Sequence, residues 1–344
     1  MQRSLSHRLL LASELSRFVD FVRDNYGETH SYVMHPQMAR HFYEDGEHLN
    51  IYAAFKNDEL IGVWPFLYYN RQKTDAAGCL FLFKPMDGLP FVGQAFMKSF
   101  LEDVAPEGYF TAGIIERLLP FYRRVKHRCE HFSQFYWQPV KSTHLRSKDV
   151  GFDFSVRLIS TNENLSELRG RFPVSDFLPR KDFWFLKKSY VDNLSQTFEV
   201  FEGVCNNEVF VFVTASYETP IGRILRLYDY FGKLEKFDAV LKYLQGKALA
   251  ENCRHVDIMV AGIDAAVFER AGFVALDCNQ NETIVPNNFF PFQSVNSRVH
   301  FGIRLNNSDL SGEPVVLFKG AGDQLVPRQI VDWEKSVEVN YCQT

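Results

Sequence analysis

Four short stretches of this chain carry residue types that could do chemistry. Tyr228-Asp229-Tyr230 sits at the end of a β-rich run, where a phenol or a carboxylate can deliver or accept a proton once its pKa is tuned. Phe231-Gly232-Lys233-Leu234 follows at the start of a helical pattern, where backbone N–H groups and a lysine can hold an anion. His255 and Asp257 are two apart, so they share one face of their strand and could orient an amine or act as base and orienter. Glu269, beside Phe268 on a short helix, could be the base that activates an amine. Plainer readings stand beside these: two tyrosines on one strand face, a turn before a helix, a hydrogen-bonded pair and a solvent-facing carboxylate.

Other chemistries lose support. His35 and His41 are six apart, not the i, i+4 of a helical metal pair. The six cysteines, Cys79, Cys129, Cys205, Cys253, Cys278 and Cys342, are scattered without a C-x-x-C, which argues for reduced, buried thiols and no metal site. There is no G-x-S-x-G and no Walker sequence. Gly320-Ala321-Gly322-Asp323-Gln324 lacks the third glycine and the following helix of a dinucleotide fingerprint, so it reads as a turn. Arg123, Arg124, Lys126 and Arg128 form a basic face, either solvated or in contact with an anionic sugar nucleotide.

The elements that must position these groups follow from spacing and punctuation. A helix is expected from Ser13 to Asn25, stopped by Gly27, because Leu15, Phe18, Val19 and Val22 share a face. Leu49–Phe55 and Leu60–Tyr68 make a hairpin about Lys56-Asn57-Asp58-Glu59. A helix over Ile114–Cys129, kinked by Pro120, and a strand over His131–Val140 follow. The second half repeats the order: a hairpin about Cys205-Asn206-Asn207, a strand over Arg223–Phe231, and a helix over Leu234–Glu251. Phe237, Val240, Leu241, Leu244 and Ala248 share that helix's inner face. Then come a strand over His255–Ala261, a short helix over Asp264–Ala271 and Gly272-Phe273, with Gly151-Phe152 as the matching anchor of the first half. The fold class is α/β, with α+β mixed sheets in two similar halves, 1–160 and 161–344, the second carrying extra terminal strands.

The 344 residues are 46% hydrophobic, enough to bury a core, and 33 Phe with 15 Tyr make that core aromatic. A net charge of −4 speaks against a general polyanion binder, so no nucleic-acid partner is expected. No run of about 18 apolar residues occurs, so a spanning helix is not expected and the reading is a cytoplasmic chain. The oligomeric state is left open.

The stretch from Leu225 to Leu276, with Val267-Phe268-Glu269-Arg270-Ala271-Gly272-Phe273 as its most specific piece, resembles the back half of the GNAT (general-control-related N-acetyltransferase) family. The ending from Phe289 to Gln324 resembles tandem-GNAT proteins of bacterial surface-polysaccharide clusters. The resemblance implies acyl transfer from acetyl-CoA or another acyl-CoA to an amine, such as an amino sugar or sugar nucleotide. It implies Asp257 or Glu269 as base and Tyr228 or Tyr230 facing substrate. Phe231, Gly232, Lys233, Leu234 and Phe268 would lie at the CoA site. The chain departs from the family pattern in two places. It keeps one glycine of the pyrophosphate loop, and Phe268 stands where the family commonly has an acidic-role tyrosine. A non-catalytic scaffold, or a Fem-like aminoacyl transferase, is the alternative.

Overall fold

The computed structural model describes residues 5–84, 92–139, 154–280, 282–289, 292–322 and 325. Gly151-Phe152, Asp323-Gln324 and Cys342 lie outside them. The first strands are β1 (Leu5–Leu11), β2 (Glu44–Asp45), β3 (His48–Lys56), β4 (Glu59–Tyr68), β5 (Asp75–Gly78) and β6 (Leu82–Phe83). They are followed by β7 (Gly108–Ile114), β8 (Arg128–His131), β9 (Ser133–Trp137), β10 (Phe154–Leu158) and β11 (Glu199–Cys205). The rest are β12 (Glu208–Tyr217), β13 (Ile224–Phe231), β14 (His255–Ala261), β15 (Val274–Ala275), β16 (His300–Leu305) and β17 (Leu317–Phe318). The helices are α1 (Leu15–Tyr26), α2 (Ser31–Met34), α3 (Pro36–Tyr43), α4 (Val92–Asp103) and α5 (Leu119–Arg124). In the second half they are α6 (Asn162–Gly170), α7 (Phe183–Leu186), α8 (Phe237–Ala250) and α9 (Ala265–Arg270).

Two compact units result. Unit 1 takes the described residues up to Glu130 together with His300–Ser311; unit 2 takes those from His131 to Val299 and from Gly312 to Leu325. The sheet of unit 1 runs β1-β3-β4-β5-β7-β16-β8 and that of unit 2 runs β10-β11-β12-β13-β14-β9-β15. These orders match place for place. In both, three antiparallel pairs precede one parallel pair, β5–β7 in unit 1 and β13–β14 in unit 2. β9 comes early in the chain yet lies in the sheet of unit 2, and β16 comes late yet lies in that of unit 1.

Local chemistry explains most elements. Asn57 and Asp58, and then Asn206 and Asn207, take positive φ in the two hairpin turns, the conformation that Asn and Asp accept with least strain. Gly27, at φ +87°, ends α1 and its N–H bonds to the Arg23 carbonyl. Two expectations need correction. The helix expected over Ile114–Cys129 is only α5, preceded by a single 3₁₀ turn. Pro120 lies in the first turn of α5, where its missing N–H costs no bond, so it starts a helix and does not kink one. The long helix of unit 1 is instead α4, so α4 and α8 are the matching pair.

The repeat therefore has another register. α5 matches α9, and the residues after each close it in the same way: His127 N–H bonds to the Tyr122 carbonyl (3.1 Å) and Phe273 N–H to the Phe268 carbonyl (2.9 Å). Lys126 (φ +65°) and Gly272 (φ +78°) hold the same left-handed position. Hence Tyr122 is the counterpart of Phe268, and His127 that of Phe273.

Each sheet packs an aromatic-rich core. In unit 1, Trp64 stacks on Phe100 at 4.7 Å and meets Tyr109 edge-on at 5.6 Å. In unit 2 the spaced face of α8 is fully buried: Phe237, Val240, Leu241, Leu244 and Ala248 are each exposed by 1% or less. Leu241→Ala or Leu244→Ala should each lower stability by about 2–5 kcal/mol in denaturant titration. Unchanged midpoints would place that face outside the core.

Candidate functional site in the parted strands

In unit 2, β13 and β14 pair in parallel only from Ile224/His255 to Leu227/Ile258 and then part. At the parting the β12–β13 ladder slips, with Leu227 opposite Thr214 and Asp229 opposite Val213, which leaves Tyr228 as a bulge residue. Parted strands leave backbone N–H and C=O groups that need partners. Here the chain supplies them itself. β17 pairs antiparallel with the far end of β14, Val260 with Phe318 and Ala261 with Leu317. Leu178 holds the same segment from behind: its N–H bonds to the Pro314 carbonyl and its carbonyl accepts from Val316 N–H, both at 2.8 Å. Gly320 then crosses the bulge so closely that a Cβ there would lie 2.6 Å from Tyr228 Cδ1 and 2.8 Å from its carbonyl oxygen. Only glycine fits that crossing.

Of the residues singled out from the sequence, those from Tyr228 to Leu234 follow this parting along the chain, and their polar groups are engaged mostly by residues from elsewhere in unit 2. The Tyr228 hydroxyl is hydrogen-bonded to that of Tyr217, which donates to Gln196 Oε1 (2.8 Å). Tyr230 donates to the Lys233 carbonyl (2.6 Å). Asp229 is ion-paired with Lys181 and accepts from the Tyr190 hydroxyl (2.9 Å) and Tyr230 N–H (2.9 Å). Lys181 lies between the rings of Phe231 (5.1 Å) and Phe318 (5.6 Å). Burial pushes the Asp229 carboxyl above its ordinary pKa and pulls Lys181 below its own, while each partner's charge opposes the shift.

The expected anion site is closed in the same manner. Gly232 N–H donates to Ser175 Oγ (3.2 Å) and Leu234 N–H to Asp176 Oδ1 (3.1 Å). The exposed Lys233 is paired with Glu208, which raises its pKa. A carboxylate thus already sits where a pyrophosphate would go, and Gly232, Lys233 and Leu234 in this arrangement do not fit one.

His255 and Asp257 are on one face, as their spacing requires, but in the interior of the sheet, between β13 and β9. Asp257 is ion-paired with Arg226 through one oxygen and accepts from Gln134 Nε2 (2.8 Å) through the other. Arg226 in turn donates to the carbonyls of Pro286 and Asn287 and lies over the Phe289 ring at 4.2 Å. This network fastens the irregular stretch after β15 to the sheet, a structural task that occupies both carboxylate oxygens. Burial pulls His255 down to about 4. Phe268 is buried and stacks on Phe135 at 3.9 Å, whereas Glu269 is exposed.

Unit 1 has the corresponding parting in a different state. β5 and β7 pair from Asp75/Gly108 to Gly78/Thr111. Among the described residues no strand lies between them as β17 lies against β14. A Cβ on Gly78 would lie 1.9 Å from the Tyr109 hydroxyl, so glycine is required for that ring to pass. His127 is buried between the rings of Tyr109 (5.8 Å) and Tyr122 (5.3 Å). Burial, with Arg304 adding to it, lowers His127 to about 4, so the ring is neutral at neutral pH. Burial raises the Tyr122 phenol well above its ordinary pKa. The helical pattern over Ile114–Cys129 hides Tyr122 as a site residue, because the helix proper is only Leu119–Arg124; the available signal is a tyrosine on a short helix four residues before a left-handed turn.

No protein-family model matches the chain, and no curated protein matches it. Among solved structures it is similar to a GCN5-related N-acetyltransferase from Anabaena variabilis, with a TM-score of 0.53 and 10% identity over 88% of this chain and 73% of that one. A protein of unknown function from Enterococcus faecalis, described as a probable N-acyltransferase, gives the same values. A tandem GNAT protein from the clavulanic acid biosynthesis pathway has a TM-score of 0.41 and 10% identity over 88% of this chain and 98% of that one. The chain has the GNAT fold. Among the described residues no helix is long and apolar enough to cross a membrane, and no cluster of potential metal ligands occurs.

The Asp257–Arg226 pair yields a clear expectation. Asp257→Asn leaves a buried guanidinium without its counter-charge and should lower stability by about 3–5 kcal/mol in a denaturant titration. A variant with wild-type stability would return Asp257 to the list of candidate bases.

Proposed function

We propose that the chain transfers an acyl group from a coenzyme A thioester to an amine, and that unit 1 carries the donor cleft while unit 2 is a closed, non-catalytic copy. The observation that carries this assignment is Tyr122. It stands on the short helix of unit 1 at the place that Phe268 holds in unit 2, and a tyrosine on that helix is the acid that the family resemblance implies. The fold supports acyl transfer as the general class. The filled parting of unit 2 supports a structural role for that copy.

The amine nitrogen attacks the thioester carbonyl carbon, a C–N bond forms, and the C–S bond breaks. The nitrogen gives its proton to solvent, and the departing thiolate takes one from the Tyr122 hydroxyl. A phenol does this only while protonated, and burial keeps it so. The acceptor class that the resemblance implies is an amino sugar, free or nucleotide-linked. A donor in unit 2 would instead require the segment around Leu317–Gly320 to leave the parting and Asp176 to leave the helix start.

The test is turnover of acetyl-CoA on a panel of amino sugars. Tyr122→Phe should reduce turnover by about tenfold to a hundredfold or more, with KM for acetyl-CoA and melting temperature near wild type. Phe268→Leu should leave turnover intact. Full activity in Tyr122→Phe would remove this tyrosine as the acid, and loss confined to Phe268→Leu would move the site to unit 2.

A further inference from the structure

We propose that the corner of unit 1 formed by α5 and the turn into β8 docks on an anionic phospholipid surface. From Ile115 to Arg128 the chain carries five cations, Arg117, Arg123, Arg124, Lys126 and Arg128, against a single acid, Glu116. All five are exposed. Arg128 pairs with Glu130 at 3.2 Å; among the described residues the other four form no ion pair. Elsewhere in the chain exposed arginines and lysines are commonly paired, as Arg8 and Arg17 are with Glu14, or Lys233 with Glu208. In a protein of net charge −4, a concentration of this kind is a local field and not an overall one.

The helix C-terminus accounts for part of it, since Arg123 and Arg124 lie in the last turn of α5. Arg117 and Arg128 lie outside the helix and away from its C-terminal carbonyls, so the dipole does not account for them. The turn is also tied down by hydrogen bonds. Lys126 N–H bonds to the Arg123 carbonyl (3.0 Å), and Arg304 of β16 donates to the Val125 carbonyl (2.7 Å), which fixes the turn that displays the charges.

Apolar groups in the same stretch choose the partner. Ile115 is 47% exposed, and Pro120 is exposed between the basic positions. A bilayer interface accommodates both kinds of group, headgroup phosphates meeting the cations and the acyl boundary meeting isoleucine. A nucleic-acid backbone would leave the isoleucine in water. The inference is independent of the acyl-transfer reading, because it concerns binding alone.

Co-sedimentation of the full chain with vesicles tests it. Wild type should sediment with phosphatidylcholine–phosphatidylglycerol vesicles and not with phosphatidylcholine alone, and raised salt should release it, because screening shortens the reach of the charges. R123E/R124E should weaken sedimentation at least about tenfold while keeping its circular dichroism and melting temperature. R117E/K126E should do the same, from the two sides of α5. Three results would each overturn the proposal: no sedimentation of wild type with anionic vesicles, equal sedimentation on neutral ones, or full binding by both charge-reversed variants. Salt-sensitive binding to duplex nucleic acid without vesicle binding would also reject it and assign the corner to another polyanion.

Discussion

When two parallel strands of a sheet diverge, each turns a row of backbone donors and acceptors toward the gap, and in a protein interior such groups must find partners. This requirement governs how the two copies of the fold differ. In unit 2, the gap beyond Leu227 and Ile258 is met by Leu317 and Phe318, and the segment around them is tied back to Leu178. Gly320 completes the seal over the Tyr228 bulge. In unit 1 the gap beyond Gly78 and Thr111 has no such strand among the described residues. One architecture thus appears twice, closed by its own backbone in unit 2 and, among the described residues, without that closure in unit 1.

The polar groups buried around the closed gap follow from the same fact. A carboxylate enclosed by β17 and aromatic rings is tolerable only with a counter-charge and hydrogen bonds, and Asp229 has Lys181, Tyr190 and a backbone N–H. Asp257 is satisfied in the same way by Arg226 and Gln134. Such pairs favour one arrangement of the surrounding loops, because removing either partner strands a charge. They are poor candidates for proton transfer to a substrate, which needs an oxygen at liberty. In unit 1 the imidazole of His127 is buried and packed edge-on against Tyr122.

Much of the fold is legible in the sequence where local physics decides. The apolar face of α8, the Asn-built hairpin turns and the stop at Gly27 follow from spacing and from φ preferences, and the structure agrees with them. β1 is not legible, because Leu9-Leu10-Leu11 carries no alternation; its partner β3 selects the strand. α4 is hidden behind a proline- and aromatic-rich stretch that masks its helical spacing. The placing of β9 and β16 in the sheets of the opposite halves depends on which sheet accepts the strand, which no local pattern encodes. The partners that occupy Asp229, Asp257, Gly232 and Leu234, namely Lys181, Arg226, Ser175 and Asp176, are not legible, because they come from distant or unremarkable stretches.

The central claim is that a donor thioester meets the gap in unit 1 and not the one in unit 2. Hydrogen–deuterium exchange with and without acetyl-CoA reads this directly. The account predicts slowed exchange in peptides covering β5, α4 and α5, and unchanged exchange over β13, the start of α8 and β17. Protection that appears at the start of α8, together with faster exchange in β17, would contradict it, because the chain would then be giving up its own segment to admit the donor in unit 2.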